Sequence, residues 1–342
     1  MAKTKLAIIG CGTVGQGLLQ IIKDKNADIS VVAISDMLKG SLLEPDGIDI
    51  SIMLDVLGKG GKVDDYDKLG PSAIRGLNAI ETIQQCDADI MAEMTYTDIK
   101  TGQPATSHIE EALKKGMNVT TSNKGPAALY YKKLSKLAAD NGVKFLIEGT
   151  VMSGTPVFNL ARECFAGCEI SEVKGILNGT TNYILTKMED EGWSYEDALK
   201  KAQELGYAEA DPTADVEGFD ALAKVVILSN VLLGGDVHPD DVPCQGISKI
   251  TLEDIKSATN EGMRYKLIGS TKLEGNKIIA SVKPVKLPLS DPLTGVGGAN
   301  NALTFDTDLL GKVTIQGAGA GKIETGYSIF VDILNIIGEL VN

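Results

Sequence analysis

The chain has 342 residues, a length for about two domains, and carries 33 Lys and Arg against 46 Asp and Glu, a formal charge of −13. A field of that sign repels nucleic-acid phosphates and acidic lipid surfaces, so neither is an expected partner. With 43% hydrophobic and 23% charged residues, the composition is that of ordinary globular domains and excludes wholesale disorder.

Residues 6–9 are a short apolar run, too short for a signal peptide, that leads into Gly10-Cys11-Gly12-Thr13-Val14-Gly15 and then a helical pattern through Leu18, Leu19, Ile21 and Ile22. A second strand is expected at 31–34, ending in Ser35-Asp36, with further strands at 90–94, 118–121 and 144–148 and helices at 108–115 and 127–141. Strands alternating with helices predict a doubly wound, Rossmann-type α/β domain over 1–148. The stretch 36–79, rich in Gly, Lys and Asp, reads as an irregular surface excursion. Beyond residue 149 the texture changes to a second, α+β domain over 149–310. Helices are expected at 156–164 and 194–205, the latter with a cap at Ser194, Asp197 three residues on and Gly206 just past its end. Strands are expected at 172–177, 277–285 and 313–316, and a terminal helix at 327–340. No window approaches ~18 uninterrupted apolar residues, which excludes a membrane span.

Cys11, Cys86, Cys164, Cys168 and Cys244 have no framework spacing, and with only His108 and His238 a zinc site lacks ligands. Cys164 and Cys168, four apart, are expected on one helix face. Reduced thiols fit a cytoplasmic protein.

The glycine motif between strand and helix is the context in which it binds a dinucleotide. Gly10 permits the turn, Gly12 lets the backbone approach a pyrophosphate, and Gly15 lets helix and strand pack closely. Cys11, Thr13 and Val14 supply the intervening backbone, at a helix N-terminus whose free N–H groups suit phosphates. Asp36, 21 residues after Gly15, is placed to bind a ribose 2′-hydroxyl, which favours NAD over NADP; Lys39 is close enough to reverse that preference, and the choice stays open. A structural Gly-rich turn and a solvated acid–lysine pair are the plain alternatives.

The densest chemistry lies at 206–224. Asp211-Pro212 is a good helix start, and Asp220 and Lys224, four apart, share a helix face in the favourable order. Alone such a pair is an ordinary surface ion pair worth ~0.3–0.5 kcal/mol. Glu209, Asp215 and Glu217 beside the apolar Leu222, Val225 and Val226 make the acid density unusual.

Segment 205–224 resembles the signature of homoserine dehydrogenases. Gly175-Ile176-Leu177-Asn178-Gly179-Thr180-Thr181-Asn182-Tyr183-Ile184-Leu185 matches another of that family's blocks, and Thr121-Ser122-Asn123-Lys124 resembles its Thr-Ala-Asn-Lys strand end. Gln316-Gly317-Ala318-Gly319-Ala320-Gly321 resembles its C-terminal glycine block, which returns to the nucleotide, so residues 311–342 are expected to rejoin the first domain and its nucleotide site. The resemblance covers essentially the whole chain and implies a short, monofunctional form without an aspartokinase or a C-terminal regulatory module. It implies NAD(P)-dependent interconversion of L-homoserine and L-aspartate 4-semialdehyde, a step toward threonine, isoleucine and methionine, and a homodimer formed through a sheet of the second domain.

Carried over by residue, the resemblance makes Lys224 the proton donor, with Asp220 orienting it and binding substrate. Glu209 would hold the substrate ammonium with support from Asp215. Lys124 would reach nicotinamide and substrate, Thr95 the cofactor, and Gly206 and Gly321 would line the cleft. Carbonyls of Glu148, Val151, Ser153 and Thr155 would hold a monovalent cation, Na+ or K+. The hinge 151–155 is poorer in Gly and Ala than the family's, Thr325-Gly326 stands where the family has Thr-Ala, and Gly125-Pro126-Ala127 after Lys124 matches one family branch. Two other readings are a related NAD(P)-dependent dehydrogenase of another amino-acid semialdehyde or alcohol, and a non-catalytic NAD(P)-binding sensor, which would need neither Lys124 nor Lys224.

Overall fold

The N-terminal apolar run forms β1 (Thr4–Ile9), whose residues 6–9 are completely buried, as expected for a central parallel strand covered on both faces. In the computed structural model, which describes residues 3–338, it is followed by α1 (Thr13–Asp24), β2 (Ile29–Asp36), β3 (Gly40–Leu43), α2 (Ile50–Gly58), β4 (Ile74–Arg75), α3 (Ala79–Gln85), β5 (Ile90–Glu93), α4 (Ala105–Lys114), β6 (Asn118–Thr121), α5 (Lys124–Leu129), α6 (Tyr131–Asp140) and β7 (Phe145–Leu146). The sheet order is β4-β3-β2-β1-β5-β6-β7, with β2 and β5 both parallel to β1. The strand order therefore reverses between β1 and β5, and a crevice opens at their carboxyl ends, the usual ligand position in such a sheet.

The stretch 36–79 is more ordered than its composition suggested. β3 extends the sheet antiparallel to β2, pairing Ala33 with Leu43, and β4 adds antiparallel to β3, pairing Leu42 with Arg75. Leu42, Met53, Val63 and Tyr66 from this stretch are buried in the same core as β1. Strands of four and two residues are too short to show a period, which is why the pattern hid them. The helix expected at 127–141 is two helices, broken at Tyr130. The strand expected at 144–148 is only the short β7, because residues 148–150 turn into a 3₁₀ helix.

A second unit is built on an antiparallel sheet. Its elements are β8 (Ile170–Ile176), α7 (Gly179–Asp190), α8 (Tyr195–Glu204), α9 (Thr213–Val216), α10 (Phe219–Leu232), α11 (Leu252–Asn260), β9 (Met263–Glu274), β10 (Lys277–Pro288), β11 (Asn300–Thr307) and β12 (Gly311–Ala318), with sheet order β10-β9-β8-β11-β12. β9 and β11 had no counterpart in the sequence reading. β9 buries Lys266 within a run of apolar residues, and β11 buries Asn301, Thr304 and Thr307, so neither alternates cleanly. Burial pushes the Lys266 amine down to about 8 while its Nζ donates to Asn182 Oδ1 (3.0 Å) and the Val296 carbonyl (2.7 Å). The helix expected at 156–164 is a π-helical turn at Leu160–Cys164, so Cys164 ends it and Cys168 lies beyond, off any shared helix face. All five thiols are free.

The last helix, α12 (Lys322–Ile337), belongs to the first unit, packed on α1 where Gly17 and Gly326 meet. It starts earlier than the expected 327–340, and Leu340 lies outside the described residues. The first unit runs to Gly154 and resumes at Gly321, and the second is Thr155–Ala320. Both divisions fall later than the pattern suggested, at 148/149 and 310/311. Residues 148–153 stay buried in the first unit, and β12 pairs with β11 rather than joining the returning segment. Among the described residues no helix is long and apolar enough to cross a membrane.

Candidate active site

In the first unit the glycines act through their missing side chains. Gly10 has φ +95°, and a Cβ there would run into the Met94 carbonyl at the end of β5. A Cβ at Gly15 would press on the Gly10 carbonyl, whereas one at Gly12 would meet nothing within 4 Å. The turn is thus closed behind Gly10 and Gly15 and open in front of Gly12, at an α1 N-terminus with no side-chain cap on its N–H groups. That is a cradle fitted to a pyrophosphate. Thr13 is exposed at the first helical position, Val14 packs against the core, and Cys11 is buried, its thiol pushed up to about 12 by burial and then by Asp36.

Asp36 ends β2 in an unusually fixed state. Its Oδ2 accepts from the Cys11 N–H (2.8 Å), and its Oδ1 accepts from the N–H groups of Leu38 (2.9 Å) and Lys39 (3.0 Å). Lys39 Nζ lies 3.8 Å from the same carboxylate. Asp36 lines a cavity of about 420 Å³ together with Ile9, Ser35, Thr95, Tyr96 and His108. Thr95 bonds Glu93 through its hydroxyl. Lys124 is the first residue of α5, capped by Asn123, whose Oδ1 accepts from the Gly125 N–H at 3.1 Å. Gly321 precedes α12. Glu148 and Val151 are buried, and Ser153 Oγ bonds Thr325 Oγ1 at 2.7 Å. Met152 and Ser153 are consecutive non-glycine residues in the left-handed region, with φ 57° and 53°. Thr155 falls in the second unit, its hydroxyl directed to the Ala318 carbonyl at 3.5 Å.

The second unit gathers the acid–lysine chemistry. Asp211-Pro212 starts only the one-turn α9, because Gly218 takes φ +84° and breaks the chain before α10. That break makes Asp220 a first-turn residue of α10, with Lys224 one turn later. Lys224 is 7% exposed and donates to Asp220 Oδ2 (2.7 Å) and to the Leu177 carbonyl just beyond β8 (2.6 Å). Asn178 Nδ2 bridges two carboxylates, Asp215 Oδ1 (2.6 Å) and Asp220 Oδ2 (3.0 Å), while its Oδ1 caps α7 at the Thr181 N–H. Burial pushes the Asp215 carboxyl above its ordinary value, and the Asp220 charge adds to this against the Asn178 hydrogen bond. Glu209 stands apart from this cluster on an exposed loop, where its carbonyl accepts from Gln203. Gly206 is exposed past the end of α8. No cluster of three or more His, Cys, Asp or Glu suited to a metal exists among the described residues.

A family model described as homoserine dehydrogenase matches residues 156–334, and one described as homoserine dehydrogenase, NAD binding domain, matches residues 10–148. The chain belongs to the homoserine dehydrogenase family. It is 42% identical to the NAD(+)-dependent homoserine dehydrogenase of Pseudomonas canavaninivorans over 98% of this chain and 97% of the relative. It is 43% identical to the homoserine dehydrogenase of Methanocaldococcus jannaschii over 97% of this chain and 98% of the relative. A crystal structure of a putative homoserine dehydrogenase from Archaeoglobus fulgidus superposes with TM-score 0.87 at 38% identity, covering 97% of this chain and 99% of that one. A hyperthermophilic archaeal homoserine dehydrogenase in complex with NADPH superposes with TM-score 0.82 at 31% identity, covering 99% of both chains.

Homoserine dehydrogenases are NAD(P)-dependent oxidoreductases acting on a CH–OH group, and this chain carries that fold and both of its domains. For a homoserine dehydrogenase, the residues that single-residue reasoning missed are Asn178 and Thr180, whose hydroxyl bonds the Tyr207 carbonyl at 2.6 Å. Both stood in a recognised block, but an asparagine before a helix reads as a cap, and only the fold adds the bridge between two acids.

Proposed function

We propose that this chain interconverts L-homoserine and L-aspartate 4-semialdehyde, with Lys224 exchanging the proton. The carrying observation is the buried ammonium: an ammonium has three N–H groups, and Asp220 and the Leu177 carbonyl take two. Among the described residues the third is left for the substrate oxygen. The dinucleotide, when bound, supplies a hydride for reduction or takes one in oxidation. Negative charge then grows on the carbonyl oxygen, and Lys224 meets it with a charge-assisted hydrogen bond and a proton. Asp215 and Asp220, two carboxylates joined by Asn178, supply the negative field that a substrate ammonium would neutralise, and the exposed Glu209 is proposed to hold that ammonium, as the family resemblance implies. Alcohol oxidation runs the same transfer in reverse, with the substrate hydroxyl giving its proton up at the Lys224 nitrogen. Absorbance at the reduced-nicotinamide band after adding homoserine tests the reading; no change with either coenzyme sinks it.

NAD is the proposed coenzyme. Three main-chain N–H groups fix the position of the Asp36 side chain at the end of β2, where it favours a ribose hydroxyl and repels a 2′-phosphate, and Lys39 is already paired to it. The relative from Pseudomonas canavaninivorans is named NAD(+)-dependent. Asp36→Ala should cut the NAD-over-NADP ratio of kcat/KM about tenfold, the equivalent of about 1.4 kcal/mol. Carbonyls of Glu148, Val151, Ser153 and Thr155 are proposed to hold Na+ or K+. Left-handed backbone at Met152 and Ser153 supports this, since such strain gathers at ligand clamps; equal activity in potassium and choline salts would refute it. A homodimer through the second unit's sheet is supported by exposed Leu273 and Ile279 on β9 and β10 and is checked by light scattering. Free thiols suit the cytoplasm, and the reaction would serve threonine, isoleucine and methionine formation.

A further inference from the structure

Glu93 is a fully buried carboxylate that the chemistry above does not use. It ends β5 and is paired in register with Ile9 on one side and Thr121 on the other, at the carboxyl edge of the sheet where the strand order reverses. Desolvating a carboxylate is costly unless donors surround it. Here the Thr95 hydroxyl and the Thr95 N–H (3.3 Å) both donate to Oε1, His108 Nδ1 lies 3.5 Å from the same oxygen, and the Thr121 hydroxyl, which donates to the Glu93 main-chain carbonyl at 2.8 Å, has its oxygen 3.3 Å from Oε2.

The same bonds spread outward into two loops. Thr121 Oγ1 accepts from the Asn123 N–H at 2.9 Å. Asn123 Nδ2 in turn donates to the carbonyls of Thr95 (3.3 Å) and Tyr96 (2.9 Å). A closed circuit therefore ties the loop after β5 to the loop after β6, with Glu93 at its root. The first loop supplies Thr95 and Tyr96 to the cavity that Asp36 also lines, and the second starts the helix that begins with Lys124.

We propose that Glu93 is a positioning residue for the dinucleotide, acting through Thr95, Thr121 and Asn123 without touching the ligand. This rests on reading the Asp36 cavity as the dinucleotide site. One consequence is chemical: the Thr95 hydroxyl gives its only proton to Glu93, so it meets the ligand as an acceptor, suited to a ribose hydroxyl or a carboxamide N–H.

The test compares Glu93→Ala, Glu93→Gln and Thr121→Val in the full chain, reading NADH Kd by fluorescence, KM and kcat for homoserine, and Tm. Glutamine keeps an oxygen for Thr95 and can turn its amide toward Thr121 Oγ1, so it should bind NADH within about threefold of the parent. Glu93→Ala should weaken NADH about tenfold or more, as loss of an oriented hydrogen bond does, with the homoserine KM within about twofold. Thr121→Val, nearly isosteric, should weaken NADH about threefold and serves as the decisive variant if Glu93→Ala does not fold. A folded Glu93→Ala with parental NADH affinity overturns the proposal, and so does Glu93→Gln as impaired as Glu93→Ala at unchanged Tm. If Thr121→Val is the only alanine-independent variant to fold, parental affinity there overturns it too. Failure of the parent protein to bind NADH would instead sink the dinucleotide reading itself.

Discussion

The coenzyme cradle and the acid–lysine cluster are built in opposite ways. The cradle is mostly backbone: three glycines within six residues, a helix N-terminus, and one carboxylate held by main-chain N–H groups. The cluster is side chains brought from three separate places: Asn178 after β8, Asp215 on α9, and Asp220 with Lys224 on α10. A backbone site tolerates no added atoms and little change of φ. A side-chain site tolerates changes of shape but not of charge. Substitutions in the two regions should therefore fail differently.

The largest effect is expected at Lys224. Lys224→Ala should lower kcat by ~10²–10⁴, the range for a general acid–base group, while NADH binding measured by fluorescence stays at the parental level. Full retention of kcat would remove Lys224 from the chemistry. Gly10→Ala should act on the fold instead, since φ +95° disfavours alanine and its methyl would enter the Met94 carbonyl. A loss of roughly 1–3 kcal/mol in urea unfolding is expected, together with weaker NADH binding. Parental stability there would show that the turn behind the phosphates is not closed.

The subtlest contrast is at Asp215. Burial raises its folded pKa, so between the ordinary carboxylate range and that raised value the folded chain holds a proton that the unfolded chain has lost. This group's contribution to stability therefore falls as pH rises through that window. Asp215→Asn should be close to the parent in urea midpoint at pH 4 and more stable at pH 7, while its KM for homoserine rises about tenfold. A site that gains stability on losing function is storing negative charge for a cation. No gain at pH 7 would show that the Asn178 hydrogen bond already compensates Asp215.

Much of the first region was legible because its determinants are local. Gly10, Gly12 and Gly15 state their turn within six residues, and Asp36 follows at the end of the next strand. What stayed hidden there was the stretch 36–79, whose β3 and β4 are too short to carry a period, yet β3 supplies the cavity wall at Gly40 and Ser41 and the cap of α3 supplies it at Asn78. In the second region the Asp220–Lys224 spacing was visible, and so was the acid density around it. The break at Gly218 was not, because Pro212 signals a helix start and nothing nearby announces that the helix lasts a single turn. β9 and β11 were hidden for a related reason: Lys266 and Asn301 occupy buried positions that a pattern of apolar alternation leaves to solvent.

The amino-acid order by itself determined the doubly wound start, the phosphate turn and the family, since each depends on residues close in sequence or on a contiguous block. Tertiary structure alone decided that Lys224 is buried and held by the Leu177 carbonyl, that Asn178 joins Asp215 to Asp220, and that Glu93 underpins two loops. Each of these is a hydrogen bond across 28 to 47 residues of chain, or a burial that makes such a bond obligatory. Their worth depends on a dielectric that exists only once the chain has closed around them.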